Sequence, residues 1–374
     1  MITESKKIKV CFVSPKAYPL FNPDAKNVKN PFGGSEVDLY LLALELAKNS
    51  DFEVSFIVAD YGQSPVELWN NVEVIKGIDL EKNSVAGAME LWRAMRRADA
   101  DIYFHEAASA GTFLVALFCK MRRKAFIYRT AHQDECDGTY LKQHYLAGRL
   151  FKRGLHWAKI VLTQNDADRN NLLKTMHLDS MVVRGGHHMP EQLRSEREFV
   201  LWVARSADFK RPQLFLDLAE QFPDEKFVMI CSKALGDQNY GQLVARAKTI
   251  KNLEFLPQVP FQETSDYFGR AKVFVCTSQT EGFPNTYLHA WINATPVLSL
   301  EVNPDGVFDK SACGICCNGD FGRLVESLRS VLTENRYIEL GRNAQKYAEE
   351  HHDIKKIAKE YKKLFSNIVG IDTE

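Results

Sequence analysis

Residues 273–296 constrain the fold of this chain more than any other stretch. Val273-Phe274-Val275-Cys276 is a short apolar run of the kind that makes a buried strand. It is followed by Ser278-Gln-Thr-Glu-Gly-Phe-Pro284, a turn-rich segment, and then by a helical pattern through Tyr287, Leu288, Trp291 and Ile292. Pro284 suits the first helical position. Pro296 ends the helix because it disfavours helical geometry at Thr295. A strand, a tight turn and a helix start bring backbone N–H groups and a positive dipole end to a sheet edge, where an anionic group can bind.

The same alternation runs along the whole chain. Apolar strand-like runs stand at Ile8–Val13, Val54–Val58, Asn71–Ile75, Asp101–Glu106, Ala125–Tyr128, Val161–Thr163 and Met181–Val183. They recur at Phe199–Val203, Phe227–Ile230, Leu253–Leu256 and Val297–Leu300, with helical patterns between them. Alternating strands and helices predict doubly wound α/β sheets. At 374 residues the chain suits two such domains. The polar segment around Arg184–Pro190 and the following Glu191–Glu198 is the best boundary, giving domains over 1–190 and 191–352. A basic helix over His352–Ile368 follows in the closing segment, 353–374.

Formal net charge is zero, so nothing global points to nucleic acid. No N-terminal run resembles a signal peptide, and no apolar run is long enough to span a bilayer, so a cytoplasmic protein is expected. The eight cysteines are then expected to be reduced thiols. Cys313-Gly-Ile-Cys316 lacks a second ligand pair at zinc spacing, and His187-His188 lacks a carboxylate at ligand spacing, so no metal is expected.

Several loops after strands carry polar groups. The loop after Val13 contains Pro19, Asn22, Pro23, Asn27 and Asn30 and ends in Pro31-Phe-Gly33-Gly34-Ser-Glu36, before a helix over Val37–Lys48. A Gly pair is often only a turn, but it also lets backbone amides approach a phosphate or sugar. His105 and His132 fall just past strand ends, where a hydrogen-bonded loop or core histidine is the ordinary outcome. Asp134 and Glu135 follow, either as contacts to an acceptor or, by the ordinary expectation, as exposed loop carboxylates. After Val203 come Arg205, Lys210 and Arg211, either solvated surface charges or an anion clamp. Tyr140–Ile160 interleaves Lys and Arg with Leu, Phe and Trp; such a stretch forms a solvated helix face on a core or rests on an anionic membrane surface.

Glu281-Gly282-Phe283-Pro284-Asn285-Thr286 resembles the donor-sugar loop of the retaining glycosyltransferases of family 4. Gly33-Gly34-Ser35-Glu36 is similar to the glycine loop of that family, and Arg205…Lys210 to its diphosphate clamp. The resemblance implies the GT-B fold, two Rossmann-like domains facing across a cleft. It implies a metal-independent transfer of a hexose-type sugar, with retention, from a nucleoside diphosphate donor of UDP or GDP type. The acceptor would be a glycan, a lipid-linked sugar or a small molecule, as in polysaccharide biosynthesis. By that resemblance Glu281, His132, Arg205 and Lys210 carry the chemistry. Gly33, Gly34, Gly282, Phe283, Pro284, Asn285, Thr286 and His289 would bind the donor, with the backbone around Val259 holding the base. The family has a second Glu where this chain has His289, usually on the ribose hydroxyls, and an imidazole cannot accept twice as a carboxylate does. Two other readings stand beside transfer. One is a catalytically impaired GT-B protein that binds nucleotide-sugar or supports a partner enzyme. The other is a GT-B epimerase or phosphorylase.

Overall fold

The computed structural model describes residues 7–25, 32–80 and 84–370. Asn27, Asn30 and Pro31 of the loop after the first strand lie outside the described residues. The chain divides into two compact units, Met1–Gly186 with Ile354–Glu374, and His187–Asp353.

The first unit holds an eight-stranded sheet. Its strands are β1 (Ile8–Val13), β2 (Phe52–Val58), β3 (Val66–Trp69), β4 (Val72–Lys76), β5 (Ile102–Glu106), β6 (Ala125–Arg129), β7 (Ile160–Thr163) and β8 (Met181–Val182). The order β3-β4-β2-β1-β5-β6-β7-β8 puts β1 inside, with the chain winding first to one side and then to the other. Neighbours pair in parallel except β3 and β4, which are antiparallel. Asn70 and Asn71 join those two with positive φ angles, 49° and 64°, as a two-residue hairpin turn of right-twisting strands requires.

Both faces of this sheet are covered. Phe12 meets Phe56 and Phe104, and Phe104 meets Tyr361 of the C-terminal helix, with ring centroids 5.5–5.8 Å apart. That helix spans Ile354–Val369 rather than starting at His352. Tyr140–Ile160 is not one helix. It breaks at His144 into Thr139–Gln143 and Tyr145–His156, and an added Cβ at Gly148 would stand 2.9 Å from the Leu141 backbone, so the break is tightly packed.

A buried charge cluster ties this unit together. Arg129, 2% exposed, donates to Asp38 Oδ2 at 2.7 Å and Glu106 Oε2 at 2.8 Å, and reaches the Tyr361 hydroxyl at 3.4 Å. The cluster joins β6, β5, the helix Gly34–Leu46 and the C-terminal helix. Burial pushes the Glu106 carboxyl well above the ordinary range, against the pull of Arg129.

The second unit holds six strands, all parallel: β9 (Phe199–Arg205), β10 (Phe227–Ser232), β11 (Leu253–Leu256), β12 (Ala271–Cys276), β13 (Val297–Ser299) and β14 (Gly314–Cys316). Their order is β11-β10-β9-β12-β13-β14. β9, first in sequence, lies centrally, and the winding direction reverses between β9 and β12. Ligands of open α/β sheets bind at such a switch point, outside the carboxyl ends of the strands. Apolar clusters cover both faces, one around Trp202, Phe215 and Leu328, the other around Phe274, Tyr287 and Trp291.

Arg129→Met should cost about 3–5 kcal/mol of stability, because it leaves two buried carboxylates without their cation. Urea unfolding measures it. An unchanged midpoint would mean that the cluster is neutral in the folded chain.

Candidate active site

Two strand-end loops meet at the switch point of the second unit. β9 ends at Arg205 and β12 at Cys276, and the two strands are neighbours. The loops are stitched together by the residues that follow. Thr277 donates its hydroxyl to the Lys210 carbonyl at 2.6 Å and accepts from the buried Trp202 indole at 2.9 Å. Gln279 N donates to the Phe209 carbonyl at 2.8 Å. Arg211 donates to the carbonyls of Thr277 at 2.7 Å and Ser278 at 3.0 Å, and to Glu301 at 2.8 Å. Its backbone sits in the left-handed region, φ 49°, which turns the chain into the helix Pro212–Glu220.

Held in this way, Lys210 pairs directly with Glu281, the first residue of the predicted donor loop. Both side chains are mostly shielded, 18% and 12% exposed, so the pair is screened less than a surface pair. Arg205 is exposed, and no carboxylate lies within ion-pair distance of it among the described residues. On the far side of β9, Ser206 bonds to Asp237 and accepts from Ala234 N at 3.0 Å, fixing the start of this loop against the end of β10.

The helix after Glu281 spans Asn285–Ile292. Pro284 precedes it as the capping residue instead of occupying its first position, with ψ 118°. Gly282 and Pro284 are buried, whereas Phe283, Asn285 and Thr286 are half-buried. Phe283 leans on Trp291 and His352. The first turn of a helix carries N–H groups without an intrahelical acceptor, so the loop and helix start suit an anion.

His289 lies on the inner face of that helix, 6% exposed. Its ring stacks on Phe268 at 5.4 Å and meets His187 edge-on at 4.3 Å and Phe261 at 5.7 Å. Its Nδ1 has no hydrogen-bond partner among the described residues. Burial, then the neighbouring His187, hold His289 well below the usual histidine value, and burial holds His187 down at about 4. Val259 lies half-exposed on the loop after β11, against the apolar cluster of Phe268 and Phe274.

The other candidates belong to the first unit. Gly33 is extended, and its N–H donates to Glu36 at 2.7 Å, while Gly34 opens the helix Gly34–Leu46. His132 follows β6, half-buried, and its Nδ1 accepts from Asp134 N at 3.3 Å. Glu135 is not the exposed loop carboxylate expected. It is 4% exposed, accepts from the Tyr128 hydroxyl at 2.7 Å and from the N–H groups of Ala108 and Ala131, and burial raises it to about 7. His105 is hydrogen-bonded to the Val13 carbonyl at 2.8 Å and to Ser109 at 3.2 Å.

All eight cysteines are free, and among the described residues no cluster of three or more His, Cys, Asp or Glu is placed to hold a metal ion. Thr277 was not singled out from sequence, because a lone Thr after an apolar run carries no signal. Arg211, read there as a solvated charge or part of an anion clamp, instead spends its donors on the loop carbonyls and Glu301.

The fold so described belongs to a recognisable class. Solved structures that resemble the chain include sucrose-phosphate synthase from Thermosynechococcus elongatus, at 14% identity and TM-score 0.79 over 97% of this chain and 100% of that one. WaaG, a glycosyltransferase involved in lipopolysaccharide biosynthesis, resembles it at 15% identity and TM-score 0.68 over 96% and 100%. Anabaena HepE, solved in complex with UDP, does so at 14% and 0.68 over 96% and 100%. Such identities speak for the fold, which is GT-B. Residues 197–334, within the second unit, match the family model of Glycosyl transferases group 1. No curated protein matches the chain in sequence.

The buried His289 and His187 make stability depend on pH. Their native form is neutral, while the unfolded chain takes up protons below about 6.5, so stability is full above that pH and falls as pH drops toward 4. His289→Phe, which keeps an aromatic ring in the site, should flatten the slope over that window in unfolding titrations. An unaltered slope would mean that the His289 ring reaches water in the folded chain.

Proposed function

We propose that the chain transfers a hexose-type sugar from a nucleoside diphosphate donor to a hydroxyl acceptor, with retention of configuration and without a metal ion. The observation that carries the reading is the Lys210–Glu281 pair at the switch point, with the exposed Arg205 at the end of the adjacent strand and a helix start beyond the loop. Arg205 and Lys210 would neutralise charge growing on the leaving diphosphate, the kind of preorganised electrostatic stabilisation that dominates many transfers. Glu281, oriented by Lys210, would accept from sugar hydroxyls with the backbone of Gly282 and Phe283. Pro284, Asn285 and Thr286 would shape the phosphate-facing helix start, and the backbone near Val259 would take the base.

In the proposed step the anomeric C–O bond breaks with its electron pair passing to the diphosphate. The acceptor oxygen bonds to the anomeric carbon on the same face, and its proton goes to a leaving phosphate oxygen. His132 is proposed to contact the transferred sugar, and Gly33 and Gly34 to contribute backbone N–H groups. The inner-face burial of His289 favours a ribose contact made by other groups. UDP is the first donor nucleotide to test, because HepE was solved with it.

Lys210→Ala and Arg205→Ala should each lower kcat by about 10²–10³-fold, the loss seen when one transition-state donor is removed. Thermal shifts with UDP, GDP, ADP and CMP identify the nucleotide, since a ligand of the native state raises the melting temperature. A diphosphate that stabilises wild type but not Arg205→Ala supports the clamp. Turnover unimpaired in both variants would refute it, and stabilisation without turnover would favour a protein that only binds nucleotide-sugar.

The acceptor side bears a second proposal, peripheral contact with an anionic bilayer. The helix Tyr145–His156 buries Gly148, Phe151 and Leu155 but exposes Tyr145 (67%), Leu146 (70%) and Leu150 (41%) beside Arg149 and Arg153. No Asp or Glu occurs in the sequence from Gly138 to Asn165. Apolar side chains rimmed by uncompensated cations suit an interfacial helix. Vesicles containing phosphatidylglycerol should co-float with the protein, and Leu146→Glu together with Leu150→Glu should abolish this. Equal flotation of that variant, or none by wild type, would exclude it.

A further inference from the structure

A cavity of about 300 Å³ opens at the edge of the second sheet opposite the donor loops. It is lined by segments that precede β9 and β13, and so lies at the amino-end edge of the sheet, whereas Arg205, Lys210 and Glu281 stand at or beyond the carboxyl ends of β9 and β12. Its lining includes Arg194, Arg197, Arg342, Ser195, Tyr337 and Gln345, and no carboxylate. It also receives the start of the helix Tyr337–His351, the positive end of a fifteen-residue dipole.

The charges of this cavity are largely unanswered. Arg197 is half-buried and, among the described residues, donates only to neutral oxygens: Thr295 Oγ1 at 2.7 Å, the Asn293 carbonyl at 2.9 Å and the Ala271 carbonyl at 3.2 Å. The bond to Asn293 caps the end of the donor-loop helix, and none of the three supplies a counter-charge. Burial correspondingly holds Arg197 below the usual arginine value. Arg342 is exposed and has no carboxylate within ion-pair distance among the described residues. Arg194 alone is answered, by Asp266 at 2.6 Å, which also lies 3.6 Å from Arg270. A partly desolvated cation without a counter-ion is costly, and an anionic ligand removes that cost. Guanidinium groups match phosphate oxygens in geometry as well as charge.

We propose that this cavity binds a phosphate-bearing small molecule, with Arg197 and Arg342 on the phosphate and Tyr337 against the remainder. Capping of the donor-loop helix explains the position of Arg197 but not the convergence of Arg342 and the helix start on the same space. Its volume lies at the small end of ligand cavities and suits a monophosphate rather than a dinucleotide.

The test is calorimetric titration of the intact chain with inorganic phosphate and with a hexose monophosphate. Arg342→Glu, at an exposed position, should weaken binding about tenfold or more, some 1.4 kcal/mol. UDP-induced stabilisation should be the same in that variant as in wild type, and Lys210→Ala should leave phosphate affinity unchanged. Inorganic phosphate binding as well as the hexose phosphate supports recognition of the phosphate alone. Tighter binding of the hexose phosphate supports the added contact with Tyr337. Absent binding to wild type, unchanged affinity in Arg342→Glu, or loss of affinity in Lys210→Ala would overturn the proposal. The last outcome would put the anion in the donor loops instead.

Discussion

The pairing of β9 with β12 is the constraint on which the candidate site depends. It sets two strands side by side although more than sixty residues separate them in the chain, and their carboxyl ends then deliver two loops to one place. Strand pairing alone would leave those loops free to splay. Thr277 prevents this by joining the Trp202 indole to the Lys210 carbonyl, and Arg211 does so by gripping two carbonyls and Glu301. Lys210 therefore reaches Glu281 from a backbone already anchored on both sides. Less conformational freedom remains to be lost when the pair forms.

The helix Asn285–Ile292 extends the same logic into the core. Tyr287 and Trp291 are fully buried, and the Tyr287 hydroxyl bonds to Ser299 and to the Val302 carbonyl. A Cβ at Gly341 would overlap the Ala294 carbonyl, so only glycine lets the helix Tyr337–His351 approach the helix end so closely. A loop that follows such a strand and leads into such a helix has little room to move. Preorganisation of this kind is what electrostatic stabilisation of a transition state requires.

Much of this was legible in the sequence. Period and apolar runs located the strands because parallel strands buried on both faces read as continuous hydrophobic segments. The Glu281–Thr286 loop was legible because turn residues, a strand and a helix stood in fixed succession. Other features left weaker traces. β3 went unread, for Val66–Trp69 alternates exposed and half-buried positions, and its signal lay in the Asn70-Asn71 turn. The break at His144 has no Gly or Pro of its own and is imposed by the packing of Gly148 against Leu141. The inward turn of His289 follows from helix phase. It shares the buried face with Leu288 and Ile292, and its neighbours Phe261, Phe268 and His187 come from distant segments.

Arginines show most clearly where residue type stops being informative. Arg129 and Arg205 both terminate apolar strands, so local sequence treats them alike. The first is buried between Asp38 and Glu106 and hydrogen-bonded to the C-terminal helix; the second is exposed with no carboxylate in reach among the described residues. A buried guanidinium must be compensated from within, and two carboxylates answering it leave no charge to offer a ligand. An exposed one is compensated by water until an anion arrives, so its charge is available. Arg211 falls between them, with carbonyls and one carboxylate consuming its donors, which makes it a fastener of the loops. The same residue type thus holds a fold, holds a loop or faces a ligand according to what the tertiary structure places around it.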